Sequence, residues 1–274
     1  MLAFEEDLPD GGVDVTSAAM PPMGRAVADV VARETGHHAV LAVAELAFRY
    51  ALDEQVRVTG RVPDGSRVRP GDVVLTVEGP VQGVLTAERT ALNFASHLSG
   101  VATATAAWVQ ALEGTGARVL DTRKTLPGWR ALQKYAVRCG GGVNHRFSLS
   151  DRAMVKDNHV VAAGGVVPAF RAVRAARPDL RVEVEVTDLE QLVELLDAGC
   201  EEILLDNMSS ATMAEAVALV ERHGAAGRVT LEASGGLTLE RAREVALTGV
   251  DLISVGALTH SVRVFDLGLD FREP

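Results

Sequence analysis

The chain has 274 residues, of which 47% are hydrophobic and 23% are charged, and its formal net charge is -10. This composition supports a sizeable core, in one large domain or two smaller ones, and argues against intrinsic disorder. The negative charge disfavours broad contact with nucleic acid or with anionic membranes, so an anionic ligand needs a local basic cluster.

The N-terminus and the cysteines indicate a cytoplasmic protein. MLAFEEDLPD is acidic and lacks the basic-then-apolar order of a signal peptide, and no apolar run approaches the ~20 residues that span a bilayer. Cys139 and Cys200 have no metal-ligand spacing and no partners for a disulfide framework, so each is expected to be a buried or half-buried thiol. His37-His38 suggests a metal only if a third ligand approaches, and we expect it to pack at the surface or between subunits.

The first hundred residues have the pattern of a small antiparallel sheet followed by a helix. VRVTGRVPDGSRVRPGDVVLTVEG alternates apolar and polar residues, with Pro-Gly turns at 63–65 and 70–72. Thr86 is an acceptable N-cap, which predicts a helix starting there and places Arg89 in its first turn, where the helix dipole disfavours a cation. We predict a domain over 1–100, joined by 262–274, and a second domain over 101–261.

The second half alternates short β-branched runs with helical patterns that end near glycine. The runs are ARVLDTRK, AMVKDNH, RVEVEVT, EEILLDN, RVTLEASGG and DLISVG. Strand then helix, repeated, predicts a parallel α/β sheet or barrel. Polar residues stand at or just beyond the C-terminal ends of these runs, the face where a βα barrel forms its site. They are Arg123, Lys124, Lys156, Glu185, Asp206, Ser234 and Gly256.

A basic cluster lies in the same half of the chain. Residues 121–156 contain eight Lys or Arg and two acidic residues, a local net charge of +6. Arg130, Lys134 and Arg138 are spaced as one solvated helix face, and that interpretation stays open for those three residues. In RVEVEVT the alternation places Glu183 and Glu185 on one side of the strand. They point into a barrel, or to water if the strand lies at an edge.

The segment 123–159, RKTLPGWRALQKYAVRCGGGVNHRFSLSDRAMVKDNH, resembles the signature region of the quinolinate phosphoribosyltransferase family, also called nicotinate-nucleotide pyrophosphorylase (carboxylating). EEDL, LTAERTALNFASHLSGVAT, VEVEV, ILLDN, LEASGGL and GVDLISVGALTHS follow the family's order at about its spacing. The resemblance covers nearly the whole chain. It implies an N-terminal open α/β sandwich, a C-terminal incomplete α/β barrel of the seven-stranded type, and a homodimer or higher oligomer whose site is completed by the neighbouring subunit.

The resemblance also implies a reaction. Quinolinate and phosphoribosyl pyrophosphate, with Mg²⁺, give nicotinate mononucleotide, pyrophosphate and carbon dioxide, a step that feeds de novo NAD synthesis. Such an enzyme is a pentosyltransferase. Quinolinate is a planar dianion, and Arg suits it because its paired donors match carboxylate geometry.

The resemblance assigns roles residue by residue. It matches the quinolinate-binding positions to Arg123, His145, Arg146 and Lys156, with Arg89 reaching across from the neighbouring subunit. Lys124 matches a lysine between the dicarboxylate and the pyrophosphate. Glu185 and Asp206 match acids near the ribose and its Mg²⁺, which they contact directly or through water. The 5-phosphate cradle is matched to Ser234, Gly235, Gly236 and Gly256. The residues expected to carry catalysis are Lys124, Lys156, Glu185 and Asp206.

Three alternative functions agree less well with the sequence. A molybdenum-associated, pyrophosphorylase-like branch of the same fold is the first alternative, but the intact HR pair and KDNH favour quinolinate. PDGSRVRPGD looks like part of a lipoyl- or biotinyl-type sheet, yet it has no lysine at a hairpin tip for attachment. The acid pair followed by small and hydroxyl residues that is typical of other phosphoribosyltransferases is missing, which disfavours purine or pyrimidine salvage.

The run RCGGGVNHR is interpreted as a bend that delivers His145 and Arg146 to the dicarboxylate.

Overall fold

The computed structural model describes residues 2–20 and 24–273. The chain forms two compact units. The first contains residues 1–104, 131–141 and 262–274, and the second contains residues 105–130 and 142–261. The segment 131–141, which the sequence prediction assigned to the second domain, thus groups with the first unit.

The strands are β1 (Arg25–Ala32), β2 (Gly36–His37), β3 (Arg57–Arg61), β4 (Arg67–Val68), β5 (Val73–Pro80), β6 (Arg118–Leu120), β7 (Ala153–Val155), β8 (Val182–Val186), β9 (Glu202–Asp206), β10 (Thr230–Ser234), β11 (Leu252–Ser254) and β12 (Leu267–Phe271). The α-helices are α1 (Leu2–Asp7), α2 (Val15–Ala19), α3 (Leu41–Leu52), α4 (Val81–Ala111), α5 (Arg130–Cys139), α6 (Asp157–Ala163), α7 (Val166–Ala176), α8 (Leu189–Asp197), α9 (Ser210–Arg222), α10 (Ala242–Ala246) and α11 (Ala257–His260). None of these helices is long and apolar enough to cross a membrane.

The first unit is built on a four-stranded sheet in the order β12-β1-β5-β3, with antiparallel neighbours. The predicted turns are present, since Ser66 N donates to Pro63 O and Asp72 N donates to Arg69 O. Alternate residues of β1 and β5 pack with apolar residues of α3 and α4, including Val30, Val77, Phe48, Ala87 and Ala91. One sheet face therefore forms the core of this unit, as the alternating pattern predicts.

Helix α4 begins earlier than the sequence suggests. The predicted start at Thr86 is wrong, because α4 begins at Val81, directly after β5 ends at Pro80. The Thr86 hydroxyl instead donates within the helix to Gln82 O at 3.0 Å. Arg89 consequently lies in the third turn of α4 rather than the first, so the dipole penalty predicted for it does not apply.

The basic helix α5 does not present a uniformly solvated face. Lys134 is 2% exposed, whereas Arg138 is exposed, so the solvated-face interpretation is wrong for Lys134. Two contacts explain why this segment belongs to the first unit. Tyr135 Oη donates to Asp64 Oδ2 at 3.1 Å, and Gln133 Nε2 hydrogen-bonds His97 Nε2 at 2.8 Å.

The second unit contains one parallel sheet in the order β6-β11-β10-β9-β8-β7. These strands are the six runs predicted from the sequence. Val143 forms a single parallel β-bridge with Leu120 of β6, and so adds a seventh segment at that edge of the sheet. Glu183 on β8 and Glu232 on β10, two strands that are separated by β9, bring carboxylate oxygens within 4.8 Å of each other on the same face of the sheet. The fold is the predicted mixed α/β arrangement, with a small antiparallel sheet followed by a barrel-like parallel one.

His38 lies inside the first unit rather than at its surface. Its exposure is 0%, so the expected surface role is wrong for this residue, while His37 is half-buried. The two thiols match their prediction, since Cys200 is buried, Cys139 is half-buried and both are free. Burial lowers the pKa values of His37, His38 and His97 below the usual value, because a charged imidazole loses hydration there.

We expect this burial to make the first unit sensitive to acid. Below about pH 6.5 the histidines of the unfolded chain bind protons, whereas the buried histidines of the folded chain bind them less readily. The free energy of unfolding therefore falls as the pH falls through that value. The effect is measured by thermal unfolding of the wild type and of His38→Gln at two pH values, about 7.5 and about 5.5, which lie on either side of that value. The loss of melting temperature on acidification is expected to be smaller in His38→Gln. An identical loss in both proteins contradicts this explanation.

Candidate active site

A cavity of about 510 Å³ opens at the C-terminal ends of the parallel strands of the second unit. Residues at or near the C-terminal end of each of the six strands line the cavity, and this face of the sheet is where βα barrels place their sites. Its lining residues are Thr122, Arg123, Lys124, His145, Arg146, Met154, Lys156, Glu185, Leu204, Asp206, Asn207, Glu232, Ser234, Gly235, Gly236 and Ser254.

The structure brings most of the predicted site residues together. Every predicted residue except Arg89 and Gly256 lines the cavity. Gly256 lies beside Lys124, since a Cβ added at this glycine would stand 2.9 Å from Lys124 Cδ. Arg89 belongs to the first unit, where its side chain is 62% exposed and Arg89 Nη2 lies 3.8 Å from Glu88 Oε1.

The segment after the glycine run carries two of the cavity's basic side chains. Gly141 has φ +86°, a conformation that favours glycine, and Val143 then bridges to Leu120. Asp121 Oδ1 accepts from the backbone N of His145 at 2.9 Å and so anchors the segment. Burial, followed by the nearby charge of Arg123, lowers the pKa of Arg146. Cations are thus concentrated on this side of the cavity.

A lysine and a carboxylate face each other across the next two strands. Lys156 follows β7 and donates from Nζ to Glu185 Oε2 on β8 at 2.8 Å. The lysine side chain is 45% exposed, whereas the glutamate side chain is 10% exposed. Lys156 is also the N-cap of α6, because its backbone N donates to His159 Nδ1 at 2.9 Å. The backbone of both residues is therefore held in place, at the N-terminus of α6 for Lys156 and within β8 for Glu185.

The loop after β10 packs tightly on the end of β9. Asp206 Oδ2 accepts from Asn207 Nδ2 at 2.8 Å, and Asn207 N donates to Ser234 O at 2.9 Å. Gly235 and Gly236 have φ of +94° and +58°. A Cβ added at Gly235 would stand 2.6 Å from Asn207 Cγ and 2.9 Å from Asn207 N, so glycine is required by space as well as by φ.

Beside the cavity, three buried side chains capable of binding a metal meet. They are His145, Glu183 and Glu232, and one ligand atom from each lies within 4.8 Å of the others. His145 Nε2 hydrogen-bonds Glu183 Oε2 at 2.8 Å. Burial alone raises the pKa of Glu183, but the hydrogen bond to His145 and the charge of Arg152 outweigh it, and the net pKa is lowered. Burial and the charge of Glu183 raise the pKa of Glu232 well above its usual value. The group is best described as a hydrogen-bonded network.

Several cavity residues were not singled out from the sequence. They are Thr122, Met154, Leu204, Asn207, Glu232 and Ser254. Glu232 had a usable signal, because it stands two residues before Ser234 on the same strand and so shares its face. Glu183 was correctly predicted to point inward with Glu185, and its exposure is 1%. Leu204 and Met154 are apolar, and nothing in their sequence context distinguishes them from core residues.

This arrangement defines a class of protein. A parallel βα sheet whose C-terminal face gathers arginines, lysines, three acidic side chains and a glycine loop is an enzyme site for small, multiply anionic substrates. The comparisons with known proteins specify the family. Residues 14–99 match the family model "Quinolinate phosphoribosyl transferase, N-terminal domain", and residues 101–270 match "Quinolinate phosphoribosyl transferase, C-terminal domain". The chain belongs to the quinolinate phosphoribosyltransferase family.

Individual relatives agree over nearly the full length. The nicotinate-nucleotide pyrophosphorylase [carboxylating] of Mycobacterium leprae is 54% identical, covering 98% of this chain and 94% of the relative. The crystal structure of NadC from Streptococcus pyogenes has a TM-score of 0.90 and 40% identity, over 99% of this chain and 95% of that one. The nicotinate-nucleotide pyrophosphorylase structure from Francisella tularensis has a TM-score of 0.92 and 36% identity, over 99% and 94%.

Proposed function

We propose that this chain transfers the phosphoribosyl group of phosphoribosyl pyrophosphate to quinolinate with decarboxylation. The products are nicotinate mononucleotide, pyrophosphate and carbon dioxide, and the step supplies de novo NAD synthesis. The observation that carries the proposal is a single cavity in which Arg123, His145, Arg146 and Lys156 meet the Ser234–Gly236 loop. A dianionic base and a phosphorylated sugar need these two kinds of surface side by side.

The basic side of the cavity binds quinolinate. Arg123 and Arg146 offer paired N–H donors to its carboxylates, while Lys156 and His145 add further donors. Lys124 stands between this region and the sugar, and its carbonyl oxygen is held by the hydroxyl of Thr259 at 2.8 Å. Its ammonium group balances charge on both substrates. The requirement for several cations selects a dianion over a monocarboxylate.

Glu185 and Asp206 are the residues that would face the ribose and hold Mg²⁺, directly or through water. Their carboxylate oxygens are the hard donors that Mg²⁺ prefers, and both carboxylates line the cavity, so the residues fit the ion. When bound, Mg²⁺ neutralises charge on the pyrophosphate. The two carboxylates also stabilise positive charge that develops on the ribose ring. Ser234, Gly235, Gly236 and Gly256 receive the 5-phosphate on backbone N–H groups and a hydroxyl.

The reaction has two stages. The pyridine nitrogen forms a bond to the anomeric carbon while the bond from that carbon to the pyrophosphate oxygen breaks, and the basic residues hold the reactants in line. The nitrogen is then cationic. The bond from ring carbon C2 to its carboxylate breaks, carbon dioxide leaves, and the electron pair remains at C2 until a proton adds. The pyridinium ring stabilises that pair, so the substrate itself acts as the electron sink.

One assay tests this function. The purified protein is incubated with phosphoribosyl pyrophosphate, Mg²⁺ and either quinolinate or nicotinate, and mononucleotide and carbon dioxide are followed. We expect equal amounts of the two products from quinolinate, and loss of both when a chelator removes Mg²⁺. Turnover of nicotinate but not of quinolinate overturns the proposal.

The working assembly is a cytoplasmic homodimer in which Arg89 reaches the neighbouring subunit's dicarboxylate. Its support is the exposure of the Arg89 side chain on α4 and the weak geometry of its pair with Glu88. Mixing inactive Arg89→Ala with inactive Lys156→Ala, after subunit exchange, is expected to restore activity to about a quarter of wild type, because half of the dimers then contain one intact site. Each variant alone serves as the control, and a mixture that stays inactive contradicts a shared site.

A further inference from the structure

Glu183 is a buried carboxylate with no role in the proposed chemistry. It lies on β8 two residues before Glu185, and its side chain is 1% exposed. His145, which lines the cavity, is joined to it through Nε2 and Oε2 at 2.8 Å. The buried carboxylate thus acts on the cavity through the imidazole.

Two other side chains approach the pair formed by Glu183 and His145. Arg152 Nη2 lies 3.6 Å from Glu183 Oε1, the carboxylate oxygen that does not contact the imidazole. Glu232 Oε2 lies 3.6 Å from His145 Nε2, and this oxygen has no hydrogen-bond partner in the described part of the chain. His145 Nε2 is therefore closer to Glu183 than to Glu232.

Two contacts hold His145 in place. Its Nε2 hydrogen-bonds Glu183 Oε2 at 2.8 Å. The backbone N of His145 is held separately by Asp121 Oδ1 at 2.9 Å. The imidazole is therefore held at its backbone and at one ring atom, which leaves the orientation of the ring little freedom.

We propose that Glu183 is a positioning residue for dicarboxylate binding, holding His145 by Nε2 so that the imidazole keeps one orientation toward the substrate carboxylate. The inference rests on the function proposed above. Glu232 Oε2 lies 3.6 Å from His145 Nε2, and Arg152 Nη2 lies 3.6 Å from the other oxygen of Glu183. Second-layer carboxylates commonly orient functional histidines in this way.

The test compares kinetics of Glu183→Gln with those of Glu202→Gln. Glutamine at 183 is neutral and cannot accept from all the donors around it, so KM for quinolinate is expected to rise about 10- to 100-fold, while KM for phosphoribosyl pyrophosphate changes less than about two-fold. Glu232→Gln leaves the contact between Glu183 and His145 Nε2 in place and is expected to have a smaller effect on KM for quinolinate than Glu183→Gln has.

Glu202 is the matched control. It is also a buried glutamate of the parallel sheet, and it pairs with Arg152 at 2.6 Å and Arg181 at 3.1 Å rather than with His145. Its glutamine variant reports the cost of neutralising a buried acid, and KM for quinolinate is expected to stay near wild type. An unchanged KM for quinolinate in Glu183→Gln, or equal losses for both substrates, overturns the inference.

The proposed function and the inference fail in different ways. Wild-type protein that makes no mononucleotide from quinolinate refutes the function, whereas an active wild type, combined with equal effects of Glu183→Gln on the KM values for the two substrates, refutes only the inference. If Glu183→Gln does not fold, Glu183→Asp keeps the charge and withdraws the acceptor from Nε2 by one methylene. The same selective rise in KM is then expected, and an unselective Glu183→Asp overturns the inference.

Discussion

Replacing Lys156 by alanine is expected to lower kcat/KM for quinolinate by about 100-fold or more, while the protein stays folded. The substitution removes one cation from the dicarboxylate side and leaves Glu185 without the ammonium that lies 2.8 Å away. Loss of a single preorganised donor at a reacting centre typically costs about 10²- to 10³-fold. Steady-state kinetics with each substrate varied, together with the melting temperature, measure the effect.

Lys124→Ala and Arg174→Ala complete that experiment. Lys124 lies between the two proposed substrate regions, so its removal is expected to cut turnover severely as well. Arg174 is an exposed cation on α7 that does not line the cavity, and its alanine variant is expected to keep wild-type kinetics. Near-normal turnover in both lysine variants contradicts the roles assigned to them.

Gly235→Ala is expected to reduce kcat/KM for phosphoribosyl pyrophosphate by about 100-fold, because a shift of about 1 Å at a substrate-positioning loop is enough for such a loss. The new Cβ would stand 2.6 Å from Asn207 Cγ and 2.9 Å from Asn207 N, so the loop after β10 must move away from β9. The substitution also strains a backbone with φ +94°.

Gly199→Ala separates strain from displacement. Gly199 has φ +77°, and a Cβ added there meets nothing within 4 Å. This variant is expected to lose about 1 kcal/mol of stability through backbone strain, with kinetics unchanged. If the two alanine variants have the same kinetics, the packing of Gly235 on Asn207 does not control the phosphate site.

The strands and most of the cavity residues could be predicted because their signals are local. Six β-branched runs separated by helical patterns indicate parallel strands, and the residue that ends each run is then placed at one face of the sheet. Lys156, Glu185 and Asp206 were found in this way, and the family resemblance added their roles. The inward direction of Glu183 followed from the period of two in VEVEV.

Other features depended on contacts between distant segments. Helix α4 begins at Val81 without a side-chain cap signal, since the chain enters it directly from β5. Lys134 has the spacing of a solvated residue but is buried by the packing of α5. His38 is buried in the same unit, although the histidine pair was expected to pack at the surface or between subunits.

The sequence by itself determined the alternation of strands and helices in the second unit, the concentration of basic residues in 121–156 and the family, because each depends on residue types at short or ordered spacing. Only the tertiary structure decided that His145, Glu183 and Glu232 share one buried network. Glu183 on β8 and Glu232 on β10 meet across β9 on one face of the sheet, and the Asp121 carboxylate fixes the segment that carries the histidine. Charge sharing among buried groups depends on such distances, and no local pattern encodes them.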